Sequence, residues 1–148
     1  MKRLPMDNKG GAAVEFAILL PVWLMIFFAF LDYGWYLTNV MVLENAVWSG
    51  ARAGVKVKYW LDPNDEEYLD PKAVARNMVR ESFWLNRLKD EDIFVAFKDS
   101  NHEVVDEDEN FDYLEVKVPE YRYGLLTGYL PDGMIPTKIA ALSLTSFP

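Results

Sequence analysis

Cysteine is absent from the chain, and histidine occurs once, at His102. Without a thiol there is no disulfide, no thiolate nucleophile and no thiolate metal site. A single imidazole rules out a His-x-x-x-His pair, and no Gly-rich phosphate loop occurs. His102 sits in a polar turn, so a Ser-His-Asp relay would need a tertiary arrangement that nothing in the sequence announces. Basic residues are also scarce. Fifteen Lys and Arg against 23 Asp and Glu leave a net charge of −8, and most of the excess acid lies beyond residue 60, in segments 62–70 and 90–112. Such a surface repels phosphate backbones, which argues against a nucleic-acid partner. Asp106, Asp108 and Asp112 with Asn110 alternate as calcium ligands do. An EF-hand loop begun at Asp106, however, would place Phe111 where a glycine belongs and Lys117 where the final glutamate belongs. A solvated acidic hairpin is the simpler reading. No catalytic set, metal site or cofactor site emerges, so the expectation is a protein that is not an enzyme.

Charge is scarcest between Phe16 and Leu43, where Asp32 is the only formal charge in 28 residues. As a helix this run would reach about 42 Å at 1.5 Å per residue, enough to cross a bilayer. A transmembrane segment over about 16–43 is therefore expected. Asp32 lies roughly 24 Å along the axis from Phe16, near the far side of the hydrocarbon, where an acid can snorkel outward. Tyr33, Trp35 and Tyr36 follow it, an aromatic group of the kind enriched at the membrane boundary. A secretory signal peptide ending at Ala51-Arg52-Ala53 is the competing reading, but the apolar region is about twice the usual 7–15 residues. Basic residues flank both ends (Lys2, Arg3 and Lys9; Arg52, Lys56 and Lys58), so the positive-inside rule leaves orientation open. Further along, Ala46, Gly50 and Gly54 recur at four-residue spacing, which lets another backbone approach closely.

A short basic leader ends at Gly10, and Gly11-Ala12-Ala13-Val14-Glu15-Phe16 leads straight into the apolar run. This arrangement resembles the processing site of type IV prepilins. Cleavage after Gly10 would make Gly11 the new N-terminus and Glu15 its fifth residue. The wider segment 10–55 resembles the TadE-like family of minor pilins, or pseudopilins, of the tight-adherence (Flp, type IVc) pilus system. The likeness rests on Gly11 through Pro21, Asp32-Tyr33-Gly34, Leu43-Glu44-Asn45-Ala46 and Gly50-Ala51-Arg52-Ala53-Gly54. Val47-Trp48 departs from it, standing where the family often has small or polar residues.

The resemblance implies an inner-membrane subunit with a cytoplasmic N-terminus that later joins a pilus. Its implied partners are a prepilin peptidase, other major and minor pilins, the inner-membrane assembly platform and membrane lipid, and its implied roles are pilus assembly or priming, adherence and biofilm formation. It further implies that Glu15 attracts the N-terminal amine of a neighbouring subunit, and that Pro21 loosens the helix on passage from membrane to filament. On the residues alone, Glu15 has a second reading as an acid in the first helical turn, favoured by the dipole by up to about 1 kcal/mol. An acid at the edge of hydrocarbon is nonetheless costly unless paired. A permanently anchored periplasmic scaffold that keeps its leader is the alternative function.

The expected organisation is a leader over 1–10, a long helix over 11–58 and an α+β head over 59–148. Asp62-Pro63-Asn64-Asp65 signals a turn, and Asp70-Pro71 supplies an N-cap and a first-turn proline for a helix over 71–87. Alternation predicts three antiparallel strands, Ile93–Lys98, Tyr113–Val118 and Lys138–Ser146, with Ala140, Leu142 and Leu144 forming the apolar face of the last. The sheet is expected to be covered by helix 71–87 and the small-residue face of the long helix. Between the last two strands, Tyr121, Tyr123, Leu125, Leu126 and Tyr129 crowd a loop, which reads equally as core or as a subunit interface.

Overall fold

The computed structural model describes residues 9–57, 68–86, 88–106, 111–130 and 133–147. It is an α+β protein with two helices and a four-stranded antiparallel sheet. The first helix, α1, runs unbroken through Lys9–Val55, 47 residues with Pro21 inside. Pro21 removes one backbone hydrogen bond, and the helix continues across it. The second, α2, spans Pro71–Ser82. It starts where Asp70-Pro71 predicts: the Asp70 carboxylate accepts hydrogen bonds from the backbone N–H groups of Lys72 (2.8 Å) and Ala73 (3.2 Å). It stops five residues short of the expected end. Phe83 leaves the helical path and turns its ring edge-on to Tyr121, with centroids 4.9 Å apart.

The strands are β1 (Phe94–Lys98), β2 (Val104–Val105), β3 (Tyr113–Arg122) and β4 (Lys138–Ser146), in the order β2-β1-β3-β4. β2 is an addition to the expected three, a two-residue strand returning from β1 through a turn. There the Asp99 carboxylate accepts the backbone N–H groups of Asn101 and Glu103. β3 runs four residues further than alternation suggests. Its register against β4 slips between Val118 and Tyr121, at Pro119, which has no N–H to give the ladder.

One face of the sheet is covered by the C-terminal half of α1, packed on β3 and β4, and by α2, packed on α1 and β1. Phe97, Leu114, Val116 and Val118 point into that layer and are fully or almost fully buried. β4 faces opposite to expectation. Ile139, Ala141 and Ser143 are buried, whereas Ala140, Leu142 and Leu144 point to the uncovered side. Close approach of a helix favours small inward residues, and Ala141 and Ser143 supply them. On the uncovered side Glu115 is held between Lys98 (2.7 Å) and Lys117 (3.2 Å). Burial pushes the Glu115 carboxyl up, but the two ammonium groups outweigh it and hold it below the usual glutamate range.

The column Ala46, Gly50 and Gly54 lies in the deepest part of the head. A Cβ on Gly50 would stand 2.4 Å from Val79 Cγ2 and 2.8 Å from the Ala75 carbonyl oxygen; one on Gly54 would stand 2.4 Å from Leu114 Cδ2 and 3.0 Å from the Pro71 carbonyl oxygen. These close approaches let α2 and the sheet seat against α1. Gly34, higher on the same helix, has no atom within 4 Å of its Cβ position. The two glycines are expected to respond oppositely to alanine. Gly50→Ala should destabilise the head by about 1–3 kcal/mol through overpacking against backbone, whereas Gly34→Ala should be neutral or stabilising by up to about 1 kcal/mol through helix propensity. Thermal unfolding of the detergent-solubilised chain checks this, and equal behaviour of the two variants would contradict it.

Candidate functional site

Two regions carry the residues singled out in the sequence: the bare N-terminal part of α1 and the junction where the head closes on the helix. Residues 11–27 are exposed at every position, including Val14, Phe16, Ile18, Leu19, Trp23 and Phe27. α1 is long and apolar enough to cross a membrane, and its most apolar window has none of its residues buried by the rest of the protein. Gly10 is the second residue of α1, residues 1–8 of the leader lie outside the described residues, and Gly11 has open space where a side chain would be. Glu15 is exposed and has no hydrogen-bond or ion-pair partner among the described residues. With α1 already helical at Lys9, Glu15 is beyond its first turn, where the dipole term has fallen away. The helix-capping account of Glu15 therefore fails for the chain as it stands.

From Phe28 onward the helix acquires a buried stripe. Asp32, Asn39, Leu43, Ala46, Val47, Gly50, Ala51 and Gly54 follow at three- and four-residue steps, all on the face covered by the head. Residues 32–43, included in the expected membrane run, are thus partly claimed by the head. The fully bare apolar stretch ends at Phe27, and the first fully buried position is Asp32.

Asp32 marks that change, and it does not snorkel. Its side chain is completely buried, and both carboxylate oxygens are taken by one residue of the β3–β4 loop. The backbone N–H of Thr127 donates to Oδ1 at 2.8 Å, and the Thr127 hydroxyl donates to Oδ2 at 2.6 Å. The Tyr129 N–H in turn donates to the Thr127 hydroxyl oxygen at 3.3 Å, so donors are lined up toward the charge. Gly128 takes φ +64, a left-handed conformation that glycine adopts without the penalty of a Cβ, and it sits between Thr127 and the Tyr129 N–H that turns back to the Thr127 hydroxyl.

The same loop is tied at two further places. Trp35 Nε1 donates to the Gly124 carbonyl at 3.0 Å. Tyr123 packs near Tyr36, with ring centroids 6.1 Å apart, and its hydroxyl donates to the Pro136 carbonyl. Burial, with smaller contributions from Tyr36 and Asp32, pushes the Tyr123 phenol up, keeping it protonated as a donor.

The loop residues therefore divide. Tyr121 and Tyr123 are core, Leu125 is half-buried against the core, and Leu126 and Tyr129 are exposed at 57% and 69%. Tyr129 nevertheless stacks on Phe28 of α1, at 4.8 Å. The Asp32–Thr127 clamp was not foreseeable from local pattern, since the partners are 95 residues apart; the available hint was a lone acid within an apolar run, which calls for donors from elsewhere in the chain. Of the acidic hairpin, Asp106 and Asp112 are described, and Asp112 accepts from the Ser100 hydroxyl. Asp108 and Asn110 lie outside the described residues. No group of His, Asp or Glu suited to a metal occurs among the described residues.

The chain thus combines an exposed apolar helix, consistent with a membrane anchor, with a small α+β head, and it carries Gly10-Gly11 and Glu15 ahead of the bare apolar stretch. Residues 10–52 match the family model of TadE-like proteins. The match covers almost all of α1 and none of the head, and it suggests a pilin-like protein associated with the Tad pilus. No curated protein and no solved structure matches the chain.

The clamp predicts a specific sensitivity. Thr127→Val keeps the shape and the backbone donor but removes the hydroxyl from a buried carboxylate, and should cost about 1–3 kcal/mol. Thr127→Ser should restore most of it. Amide hydrogen exchange at 127–129, read beside thermal unfolding, should accelerate in the valine variant alone; unchanged exchange there would show that the hydroxyl contributes nothing.

Proposed function

We propose that the chain is a minor pilin or pseudopilin subunit of a type IVc (Tad/Flp) pilus. The observation that carries this reading is the exposed helix start, where Gly11 and Glu15 stand free at the head of a bare apolar stretch. In this reading α1 crosses the inner membrane with its N-terminus in the cytoplasm, over about residues 11–31 rather than 16–43. A prepilin peptidase removes the leader after Gly10. The head remains on the periplasmic side until the subunit joins or primes a filament alongside other major and minor pilins on the assembly platform, in support of adherence and biofilm formation.

The chemistry is mechanical and electrostatic. Cleavage leaves an α-amino group at Gly11, four residues from Glu15. An acid in or beside hydrocarbon needs a cationic or hydrogen-bonding partner. Nothing else in the described chain supplies one to Glu15, so an amine on a neighbouring subunit is a suitable partner, and pairing with it would set the axial register between subunits. Ala46, Gly50 and Gly54 have a different part, holding the head on its own helix.

Two variants test the proposal in a host carrying its peptidase. Gly10→Ala should slow or block maturation, because a peptidase that cuts after glycine has little room for a Cβ; the intact mass of membrane-recovered protein reads the outcome. A chain that begins at Gly11 in the wild type but retains its leader in the variant fits the pilin. A wild type that keeps its leader would instead favour a permanently anchored periplasmic scaffold.

Glu15→Gln should be inserted and cleaved normally, yet accumulate in the membrane without entering or promoting filaments. Fractionation between membrane and sheared surface material, with filament counts, checks it. Normal partitioning and normal filament number would remove the pairing role while leaving the cleavage reading intact.

A further inference from the structure

The β3–β4 loop reaches beyond the Asp32 clamp toward the bare part of α1. Tyr129 stacks on Phe28, and Leu130, Met134 and Ile135 line an apolar groove of about 400 Å3 with Ile26, Phe30 and Tyr33 of the helix. Ile26 lies five residues below Leu31, roughly 8 Å nearer the N-terminus along the helix axis. Residues 11–31 span about 32 Å as a helix, the thickness of one hydrocarbon core. A bilayer placed on that stretch therefore encloses the level at which the loop meets the helix. Sliding the bilayer toward the head, to begin at Phe16, immerses the loop further.

The loop's composition suits that level. Between Arg122 and Lys138 the sequence has one formal charge, Asp132, in a chain where 26% of residues are charged. Tyr129 and Met134 are exposed at 69% and 68%, so the protein itself does not cover them. The Asp32 clamp holds the loop at this height: a backbone N–H and a hydroxyl of Thr127 are brought 95 residues through the sequence to meet the acid that the head buries. A carboxylate that water cannot reach requires such donors.

We infer that this loop is a second membrane contact: Tyr129, Leu130 and Met134 dip into the outer part of the bilayer beside α1, and lipid acyl chains fill the groove against Ile26 and Phe30. The contact rests on the membrane anchoring of α1 proposed above. It fixes the head's height and rotation relative to the bilayer, because a single helix alone leaves both free. The depth of about 8 Å falls in the range of interfacial apolar elements, 5–10 Å below the headgroup boundary. Leaving the membrane would expose this surface as well as the stalk, so the patch would be available to another subunit only after extraction.

The absence of cysteine makes the test direct. Single cysteines replace Met134 and Tyr129 in the loop, Ile18 in the bare helix and Val104 on β2, the sheet edge opposite β4; all four positions are exposed. Each full-length variant carries an environment-sensitive fluorophore and is reconstituted in phosphatidylethanolamine–phosphatidylglycerol vesicles. Quenching by nitroxide-labelled lipid is compared with quenching by aqueous iodide. The inference expects labels at 134 and 129 to behave like the label at 18, quenched by the lipid nitroxide and protected from iodide, with 104 the reverse. Iodide quenching at 134 and 129 equal to that at 104, with 18 still in lipid, overturns the loop contact and leaves the anchor standing. Iodide quenching at 18 as well overturns the anchor itself. Protection at 134 from both quenchers that disappears on dilution with excess lipid would assign the surface to a second copy of the chain, and would also overturn the inference.

Discussion

A carboxylate buried in the side of an apolar helix must be answered by hydrogen-bond donors, and the placement of the head follows from how Asp32 is answered. The acid lies where α1 changes from a helix bare on all sides to one with a covered stripe. Its donors come from a loop near the other end of the chain, so satisfying the charge and docking the head are a single event. Were Thr127 displaced, Asp32 would lose both partners at once, and the desolvation cost would fall on the charged group itself. The clamp thereby couples the membrane-side end of the head to one height on the helix.

Below the clamp a second constraint operates, and it is steric. Gly50 and Gly54 give α2 and Leu114 room that no side chain would allow, while Ala141 and Ser143 let β4 lie close along α1. Polar matching at one end and close backbone approach at the other leave little freedom for the head to slide or roll. The long helix is thus the central strut of the head's core in its C-terminal half and an exposed apolar rod, consistent with a membrane anchor, in its N-terminal half.

Much of this was legible in the sequence where the signal is local. The apolar run, the Asp70-Pro71 start of α2, the alternation of Leu114, Val116 and Val118 and the small-residue column all depend on neighbours within a turn or a strand. Alternation on β4 yields the period but not the direction, and the larger set Ala140, Leu142 and Leu144 looked like the buried one. The close packing of α1 reversed that choice, favouring the smaller side chains. Phe83 ended α2 early because its ring had a better place against Tyr121 than on a helical face. The Asp32–Thr127 pair, with 95 residues between its members, had no periodic signature at all. The match to TadE-like proteins ends at residue 52, so it could not indicate what the head brings to the helix.

Two acids of α1, Glu15 and Asp32, have contrasting physical positions. Asp32 is buried and saturated by donors of its own chain, so pairing it with a neighbouring subunit would require breaking contacts already made. Glu15 is exposed and without a partner among the described residues. Any subunit that presents a cation to the bare stretch gains more at Glu15 than at Asp32, because only Glu15 carries an unmet electrostatic demand. The asymmetry leaves Asp32 committed to internal architecture and Glu15 exposed, the position the proposed subunit pairing requires. It also separates the forces: head docking is complete within a single chain, whereas in the proposed pilin a neighbouring subunit would supply the partner of Glu15.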